Sequence, residues 1–402
     1  MNRQQNNYFK NIADETIAHG ALTNSKRPSC FVQGVYPTHI KKGFKCYLVD
    51  VDNNQYVDFI CGLGTNFFGY SNPDISEAVR EVIYNGGPSF SLSTDYECEY
   101  AQTFINLFPF IDKVRFLKTG TEGCMAAIKI ARAFTGRKWI ISDGYHGWSD
   151  HFIGLTPPAY GVSPDPYVAR SEEALKPSDI AAYIIEPIIT DHSFERIKYL
   201  QRLREFCDKH KILLIYDETI TAFRFPKYCA ASHYNIYPDL WIGGKAVAGG
   251  YPLSVVGGRR DVMDSDYFVS GTWAGDRISL AAATKALDLI HGPYDPIELW
   301  TKGLDFLSGF NAISPEVQIV GYPTRGVMKY KTPQFQAAFM QEMCLAGVLF
   351  GPSWFYNRWL DEEKDNVLSL VKSVVRKILR GHITLKGEMP KSPFAERFRN
   401  AR

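Results

Sequence analysis

The chain has 402 residues, enough for two domains of ordinary size. Hydrophobic residues make up 45% and charged residues 22%, which is typical of globular proteins and excludes disordered and fibrous classes. Lys and Arg number 45 against 43 Asp and Glu, a formal net charge of +2. Because this balance lacks the basic surplus typical of nucleic-acid-binding proteins, we expect no nucleic-acid partner.

The sequence carries no visible signal for secretion or membrane insertion. The first ten residues are polar, and no run of about 18 uncharged apolar residues occurs. The eight cysteines are scattered without a C-x-x-C pair, which favours reduced thiols over disulfides or a zinc site. His146 and His151 are five residues apart and have no acidic or cysteine ligand spacing around them, so we expect no metal. We expect a cytoplasmic protein without a membrane partner.

The predicted elements begin after a loop-like N-terminal stretch. The first forty residues, interrupted by Pro28 and Pro37, are predicted to be loop. Two short strands are expected at 46–50 and 55–59, around a turn at 52–54. Helical periodicity follows at 75–85 and 95–108.

The middle of the chain alternates short apolar runs with helix-length segments. The candidate strands are 114–117, 139–141, 183–185, 212–215 and 240–242, and the candidate helices are 121–135, 197–210 and 276–291. Continuous apolar strands of this kind suit a parallel sheet covered on both faces.

A smaller α+β unit is predicted after residue 292. Its expected helices are 295–309, 333–346 and 361–380, and its expected strands are 317–321 and 326–330. We therefore expect an N-terminal segment (1–60) that contributes to the small domain, a large domain (61–292), a C-terminal small domain (293–380) and a basic tail (381–402).

Lys245 is the first candidate for chemistry, because ligands of open α/β sheets lie beyond the carboxyl ends of the strands. It follows the predicted strand 240–242 and has two glycines before it. A desolvated lysine can form a Schiff base with an aldehyde, whereas the alternative is a solvated loop lysine. The spacing does not match a phosphate-binding P-loop.

Three further groups follow predicted strands. Asp217 suits the carboxylate that keeps a pyridinium nitrogen protonated in a pyridoxal phosphate (PLP) enzyme, although it could instead cap the next segment. Thr119, Gly120 and Thr121 open a helix and could bind a phosphate or form an ordinary N-cap. The ring of Tyr145 could stack on a planar cofactor or be a half-buried aromatic.

Taken together, the segments across about residues 35–290 resemble the class III aminotransferases, a fold type I PLP-dependent family, and among them glutamate-1-semialdehyde 2,1-aminomutase. The matching phrases, in order, are 48–52, Thr119-Gly120-Thr121-Glu122, 131–137, Tyr145-His146-Gly147, Ile185-Glu186-Pro187, Asp217-Glu218-Thr219, Phe223-Arg224, Gly244-Lys245, 257–263 and Gly271-Thr272. So many motifs in one order are more specific than any one of them.

The resemblance implies a mainly parallel seven-stranded sheet covered by helices, with a smaller α+β domain. It implies that Lys245 is the catalytic residue that holds PLP as a Schiff base. It implies a homodimer with shared active sites, because Thr272 matches a threonine that reaches the phosphate of the neighbouring subunit. The other cofactor-binding residues that it implies are Asp217 at the pyridine nitrogen, Tyr145 on the ring, Thr119, Gly120 and Thr121 at the phosphate, Glu186 and Thr219 on the 3-oxygen side, and His146.

The sequence departs from the aminomutase pattern where the substrate is expected. Ser29 stands at the place of an arginine that takes the substrate carboxylate, and Tyr356 stands at the place of an acidic residue. Arg358 is the nearest candidate for a substrate carboxylate, with a solvated arginine as the alternative. The aromatic run at 354–359 could line a pocket, although packing is its commoner use. We therefore expect retained chemistry with a changed substrate.

The predicted function is PLP-dependent transfer of an amino group between a small amino compound and a keto acid or aldehyde. The first alternative is an intramolecular aminomutase of the glutamate-1-semialdehyde type. Others are a PLP-dependent decarboxylase or eliminase and a non-catalytic binding protein of the same fold.

Overall fold

A computed structural model describes residues 2–155 and 161–391. The chain forms two compact units. The first consists of the residues up to Asn72 together with those from Thr301 onward, and the second is Pro73–Trp300. Of the tail expected at 381–402, residues 392–402 lie outside the described part.

The helices and strands follow in chain order. Up to Asn72 they are α1 (Gln4–Thr16), β1 (Ile40–Phe44), β2 (Tyr47–Asp50) and β3 (Gln55–Asp58). From Pro73 they are α2 (Pro73–Tyr84), α3 (Asp95–Leu107), β4 (Lys113–Leu117), α4 (Gly120–Thr135), β5 (Trp139–Asp143), α5 (Asp150–Ile153), β6 (Val168–Ala169), β7 (Ile180–Ile185), α6 (Phe194–His210), β8 (Leu213–Glu218), α7 (Ala230–Tyr234), β9 (Leu240–Gly243), β10 (Ser254–Gly258), α8 (Arg260–Met263), α9 (Arg277–Ile290) and α10 (Pro296–Asn311). The last are β11 (Val317–Tyr322), β12 (Arg325–Tyr330), α11 (Pro333–Leu345), β13 (Val348–Leu349), β14 (Ser353–Phe355) and α12 (Lys364–Leu379).

The second unit is built on a seven-stranded sheet of order β4-β10-β9-β8-β7-β5-β6. Strands β9, β8, β7, β5 and β6 pair in parallel, whereas β10 runs antiparallel to both of its neighbours. Every residue of β7, β8, β9 and β10 is buried. The expected mainly parallel sheet covered by helices is confirmed.

The first unit contains two smaller sheets. One has the order β1-β2-β3-β13, and the other has the order β11-β12-β14. Its core includes stacked aromatic rings, with Phe59 lying 4.8 Å from Phe350 between ring centroids. The smaller α+β part expected from the sequence is therefore present.

The prediction of a loop over the first forty residues is wrong, because α1 occupies part of this stretch. The helix is polar and lacks a strong local start signal, but a distant side chain caps it. The carboxylate of Asp52 accepts hydrogen bonds from the backbone amides of Gln5 and Asn6, at 2.8 and 2.9 Å. These amides are among those that a helix start leaves without an intrahelical partner.

The remaining differences concern short elements. Strands β1, β6, β10, β13 and β14 were not predicted. The expected helix 361–380 begins as a 3₁₀ helix at Arg358–Glu363 before α12 continues it. Among the described residues, no helix combines the length and apolar character needed to cross a bilayer. The eight cysteines are free thiols, and only Cys98 of them is exposed.

Candidate active site

The candidate residues of the second unit lie at one edge of its large sheet. Because β10 is antiparallel to β4 and to β9, the two reversals leave β4 running in the same direction as β9 and the other parallel strands. The carboxyl ends of β4, β5, β7, β8 and β9 therefore share an edge. The candidate residues at or just after these ends are Thr119, Gly120, Thr121, Tyr145, His146, Glu186, Asp217, Thr219 and Lys245.

Asp217 is the most extensively hydrogen-bonded of these side chains. Its oxygen Oδ1 accepts from the amide and the hydroxyl of Thr219, at 3.1 and 2.6 Å. Its other oxygen, Oδ2, accepts from His146 Nδ1 at 2.8 Å and from the thiol of Cys124 at 3.3 Å. Asp217 is only 6% exposed. The bonds to Thr219 are local contacts of the kind that the capping alternative describes.

His146 has an acceptor at each ring nitrogen. Nδ1 faces the carboxylate of Asp217, and Nε2 lies 3.2 Å from the carbonyl oxygen of Asp143. An ionised carboxylate can only accept, so Nδ1 carries a proton and donates to Asp217. A hydrogen bond to a charged acceptor inside the protein is stronger than one between neutral groups.

The expectation that His146 lacks acidic and cysteine neighbours is wrong in space, although it holds along the chain. Cys124, His146 and Asp217 each offer one ligand atom, and these three atoms lie within 4.8 Å of one another, a spacing that could hold a metal ion. However, Nδ1 of His146 carries the proton of its hydrogen bond to Asp217, so the ring nitrogen within this cluster has no lone pair for a cation. The cluster is therefore explained by its hydrogen bonds.

The pKa values of the two buried acids are displaced in opposite directions. Burial raises the pKa of Asp217, but the hydrogen bond and charge of His146 and the bonds from Thr219 outweigh burial and hold that pKa below its usual value. Burial and the charge of Asp217 raise the pKa of Glu186, against the smaller opposing effect of the Tyr145 amide. That amide donates to Glu186 Oε1 at 2.8 Å. Asp217 is thus the acid that stays ionised.

Ile242 of β9 pairs with Asp217 of β8. Lys245 lies three residues after Ile242 along the chain. Its φ is 48°, a left-handed backbone conformation that costs energy for a residue with a side chain. The positive charge of Lys245 lowers the pKa of both Glu186 and Cys124, against the larger effect of burial. The lysine therefore acts electrostatically on the same cluster as Asp217.

The start of α4 supplies free hydrogen-bond donors at this edge. Thr119 is its N-cap and forms a capping box with Glu122, which satisfies the amides of Thr119 and Glu122. The amides of Gly120 and Thr121 lie in the first turn of the helix, where an amide has no intrahelical acceptor. The positive end of the helix dipole also lies there, which favours binding of an anion.

Two glycines lie so close to Thr219 that a side chain does not fit at their positions. A Cβ added to Gly120 or to Gly244 would lie 2.9 Å from the Thr219 methyl carbon. Real Cβ atoms do not come so close to another side chain, so these positions favour glycine. Thr219 thus touches the segments that carry both the α4 start and Lys245.

Tyr145 and Thr272 expose their side chains. The ring of Tyr145 is 55% exposed. Thr272 is exposed in a segment that lines a cavity of about 350 Å³ together with Lys118, Glu122 and Trp273.

The three candidate substrate residues belong to the first unit. Ser29 is half-buried in a 3₁₀ turn, and its carbonyl oxygen accepts from the amide of Lys391 at 2.7 Å. Tyr356 is fully buried, with its hydroxyl 3.3 Å from Asp361 and its ring packed near Trp354. Arg358 is half-buried. Their part in substrate binding stays a prediction.

Cys124 is the site residue that the sequence analysis missed. Its pKa is raised well above the usual value, chiefly by burial and then by the charge of Asp217, so the thiol keeps its proton. It lies on the buried face of α4, among apolar neighbours such as Ile128. The pattern of that face predicts packing, and only the fold brings the thiol to Asp217.

Comparison with known proteins identifies the class. The family model for class III aminotransferases matches residues 32–165 and 163–301. The chain belongs to this family and is a PLP-dependent enzyme.

Two relatives of the chain carry the same name. The chain is 31% identical over 405 residues to the glutamate-1-semialdehyde 2,1-aminomutase of Syntrophobacter fumaroxidans, covering 88% of this chain and 92% of that one. It is 35% identical over 322 residues to the enzyme of that name from Neisseria meningitidis, covering 72% and 75%.

Solved structures support the fold. The FumI protein of Sphingopyxis sp. MTA144, in a form with PLP, is 24% identical with a TM-score of 0.87, covering 95% of this chain and 98% of that one. An omega-transaminase from Sphaerobacter thermophilus is 22% identical with a TM-score of 0.79, covering 92% and 97%. The predicted fold type I and its family are confirmed.

Proposed function

We propose that the enzyme transfers an amino group from a small amino compound to a keto acid or aldehyde, with Lys245 as its catalytic residue. The observation that carries the proposal is the buried, ionised carboxylate of Asp217 on β8, with Lys245 just beyond the neighbouring strand β9. PLP, when bound, supplies an aldehyde that takes up the amino group and a pyridinium ring that withdraws electrons from the carbon beside it.

The residues at the sheet edge fit this cofactor. An ionised carboxylate matches a protonated ring nitrogen, and the amides at the start of α4 match a phosphate. We assign the phosphate to Thr119, Gly120 and Thr121, and the ring nitrogen to Asp217. Tyr145 covers the ring with its exposed face, and Glu186 and Thr219 lie on the 3-oxygen side. His146 acts through Asp217.

Lys245 has two tasks in this proposal. Its amine holds the cofactor aldehyde until the substrate amine replaces it. Once released, Nζ would be the base that takes the proton from the α-carbon of the amino compound and the acid that gives a proton back. The neighbouring glycines, of which Gly244 has no room for a side chain, let the backbone come close to the cofactor.

The wider organisation follows from the same assignment. We propose that the large domain (61–292) binds the cofactor and that 1–60 and 293–380 form the small domain. We propose a cytoplasmic homodimer in which Thr272 completes the phosphate site of the partner. Exposed large hydrophobic residues in the second unit support an interface: they include Phe90, Leu92, Trp148, Phe268 and Trp273. Sedimentation of the full chain as a monomer would contradict this part.

Lys245→Ala tests the central assignment. We expect the purified wild type to show the absorption of bound cofactor and an amine donor to bleach it. The variant should show neither that spectrum nor turnover. Lys209→Ala, an exposed lysine on α6, is the matched control and should behave like the wild type. Near-normal activity of Lys245→Ala would contradict the mechanism.

An intramolecular aminomutase is the second candidate, and the names of the relatives at 31% and 35% identity favour it. An assay with and without an added amino acceptor distinguishes the transaminase from the mutase. A transaminase stops after one half-reaction without an acceptor, whereas a mutase continues on glutamate-1-semialdehyde alone. We expect the acceptor to be required, because Ser29 and Tyr356 replace residues of the aminomutase pattern. Sustained turnover of glutamate-1-semialdehyde alone would decide for the mutase.

A further inference from the structure

The carboxylate of Asp217 has no spare acceptor position in the described structure. A carboxylate offers about four lone-pair directions. Thr219 fills two of them at Oδ1, and His146 and Cys124 fill the two at Oδ2. A ring nitrogen that donates to Asp217 must therefore displace one of these four donors.

The thiol of Cys124 is the weakest of the four. Its contact is the longest, at 3.3 Å, and a thiol is a weak donor. The hydroxyl of Thr219 is held at 2.6 Å, and its amide is fixed by the backbone. The bond from His146 is charge-assisted and therefore stronger than a neutral one. The displaced donor should be the thiol.

We propose that Cys124 is a positioning residue that competes with the cofactor ring nitrogen for Oδ2 of Asp217. In the described structure the thiol donates to Oδ2. On binding, the ring N–H takes that place and the thiol gives up its bond. This inference rests on the proposed role of Asp217, and it makes the side chain at position 124 a determinant of cofactor affinity.

The burial of Cys124 supports its role as a competitor for Oδ2 of Asp217. The side chain is fully buried, so it cannot turn to solvent, and its raised pKa keeps the proton on sulfur. A thiolate there would repel the carboxylate and attract the ring cation, which is the opposite effect. The structure therefore gives the thiol one role toward Asp217, that of donor.

Two substitutions separate competition from packing. Cys124→Ala removes the donor, so PLP should bind the full-length apoprotein more tightly, on the order of fivefold, as one modest hydrogen bond implies. Cys124→Ser places a stronger hydroxyl donor there, so PLP should bind more weakly than to the wild type by a similar factor. A packing role predicts the reverse order, because serine nearly preserves the side-chain volume and alanine leaves a cavity.

The measurement is the dissociation constant of PLP from the quenching of intrinsic fluorescence, with thermal unfolding of each apoprotein to verify folding. Cys207→Ala and Cys207→Ser, at a buried cysteine of α6, are the matched controls and should leave the constant unchanged. A deaza analogue of PLP, with carbon in place of the ring nitrogen, should bind the wild type and Cys124→Ala equally. If Cys124→Ala does not fold, Cys124→Ser decides alone.

The proposed function and the proposed competition can fail separately. A wild-type protein that does not bind PLP contradicts the proposed function. A wild type that binds PLP, with Cys124→Ala equal or weaker, or with Cys124→Ser equal or tighter, overturns only the competition. A difference that persists with the deaza analogue also overturns it.

Discussion

Replacing Asp217 with asparagine tests the electrostatic centre of the site with little change in shape. The carboxylate accepts four hydrogen bonds, two at each oxygen. The amide of asparagine has one acceptor and one donor, so its NH₂ must face either Thr219 or His146. The backbone amide of Thr219 cannot become an acceptor, whereas His146 can release its Nδ1 proton. We therefore expect the NH₂ to face His146 and the cofactor ring nitrogen.

The expected loss follows from removing one member of a buried charge pair. Such a change costs about 3–5 kcal/mol. At about 1.4 kcal/mol for each factor of ten, the amine half-reaction should slow by roughly two to four orders of magnitude if the ring cation requires Asp217. Cofactor affinity should fall as well, because the NH₂ donor then faces the ring N–H.

The assay is the rate at which an amine donor bleaches the bound cofactor, measured at saturating PLP. Asp264→Asn is the matched control, because Asp264 pairs with Lys113 in a partly exposed ion pair that contributes at most about 1 kcal/mol. The control should keep the wild-type rate. A rate within threefold of the wild type for Asp217→Asn, in a folded protein, would show that the reaction does not depend on the charge of Asp217.

Three more predictions concern separate parts of the structure. Gly147→Ala should abolish PLP binding while Gly136→Ala does not, because a Cβ at 147 would collide with Thr121 whereas the space at 136 is open; equal binding would contradict this. Glu186→Gln should stabilise the apoprotein at pH 7 but not at pH 4. A raised acid pKa means that stability is present below the unfolded value and is lost as pH rises through the folded one, so a gain in urea stability at both pH values would be the contrary result. Asp52→Ala should uncap α1 and weaken its first turn, seen as lost helical circular dichroism, and an unchanged signal would speak against the cap.

The sequence was sufficient for the strands that carry the site. Strands β7, β8 and β9 are short apolar runs, and each is followed by chemistry-bearing residues at the expected end. Strand β10 was missed, because Ser254–Gly258 contains two glycines and is too short to give a pattern. Helix α1 was missed because Asp52, which caps it, lies far along the chain.

The candidate site shows the same division between local and distant signals. Lys245, Asp217 and the start of α4 are recognisable because each occupies a strand end or a helix start. Cys124 is 93 residues from Asp217, and His146 is 71 residues from it. Their contacts with Asp217 are contained in no local pattern, so these contacts follow only from the folded structure, although the resemblance already included His146.

The charges of the site link Lys245 to Glu186. The lysine charge lowers the pKa of Glu186, while the carboxylate of Asp217 raises it. Because such interactions act in both directions, loss of the charge on Lys245 makes protonation of Glu186 easier. Asp217 cannot share this response, since His146 and Thr219 hold it ionised. Under the proposed assignment, the pKa of Glu186 therefore responds to the charge on Lys245, whereas Asp217 stays ionised for the ring nitrogen.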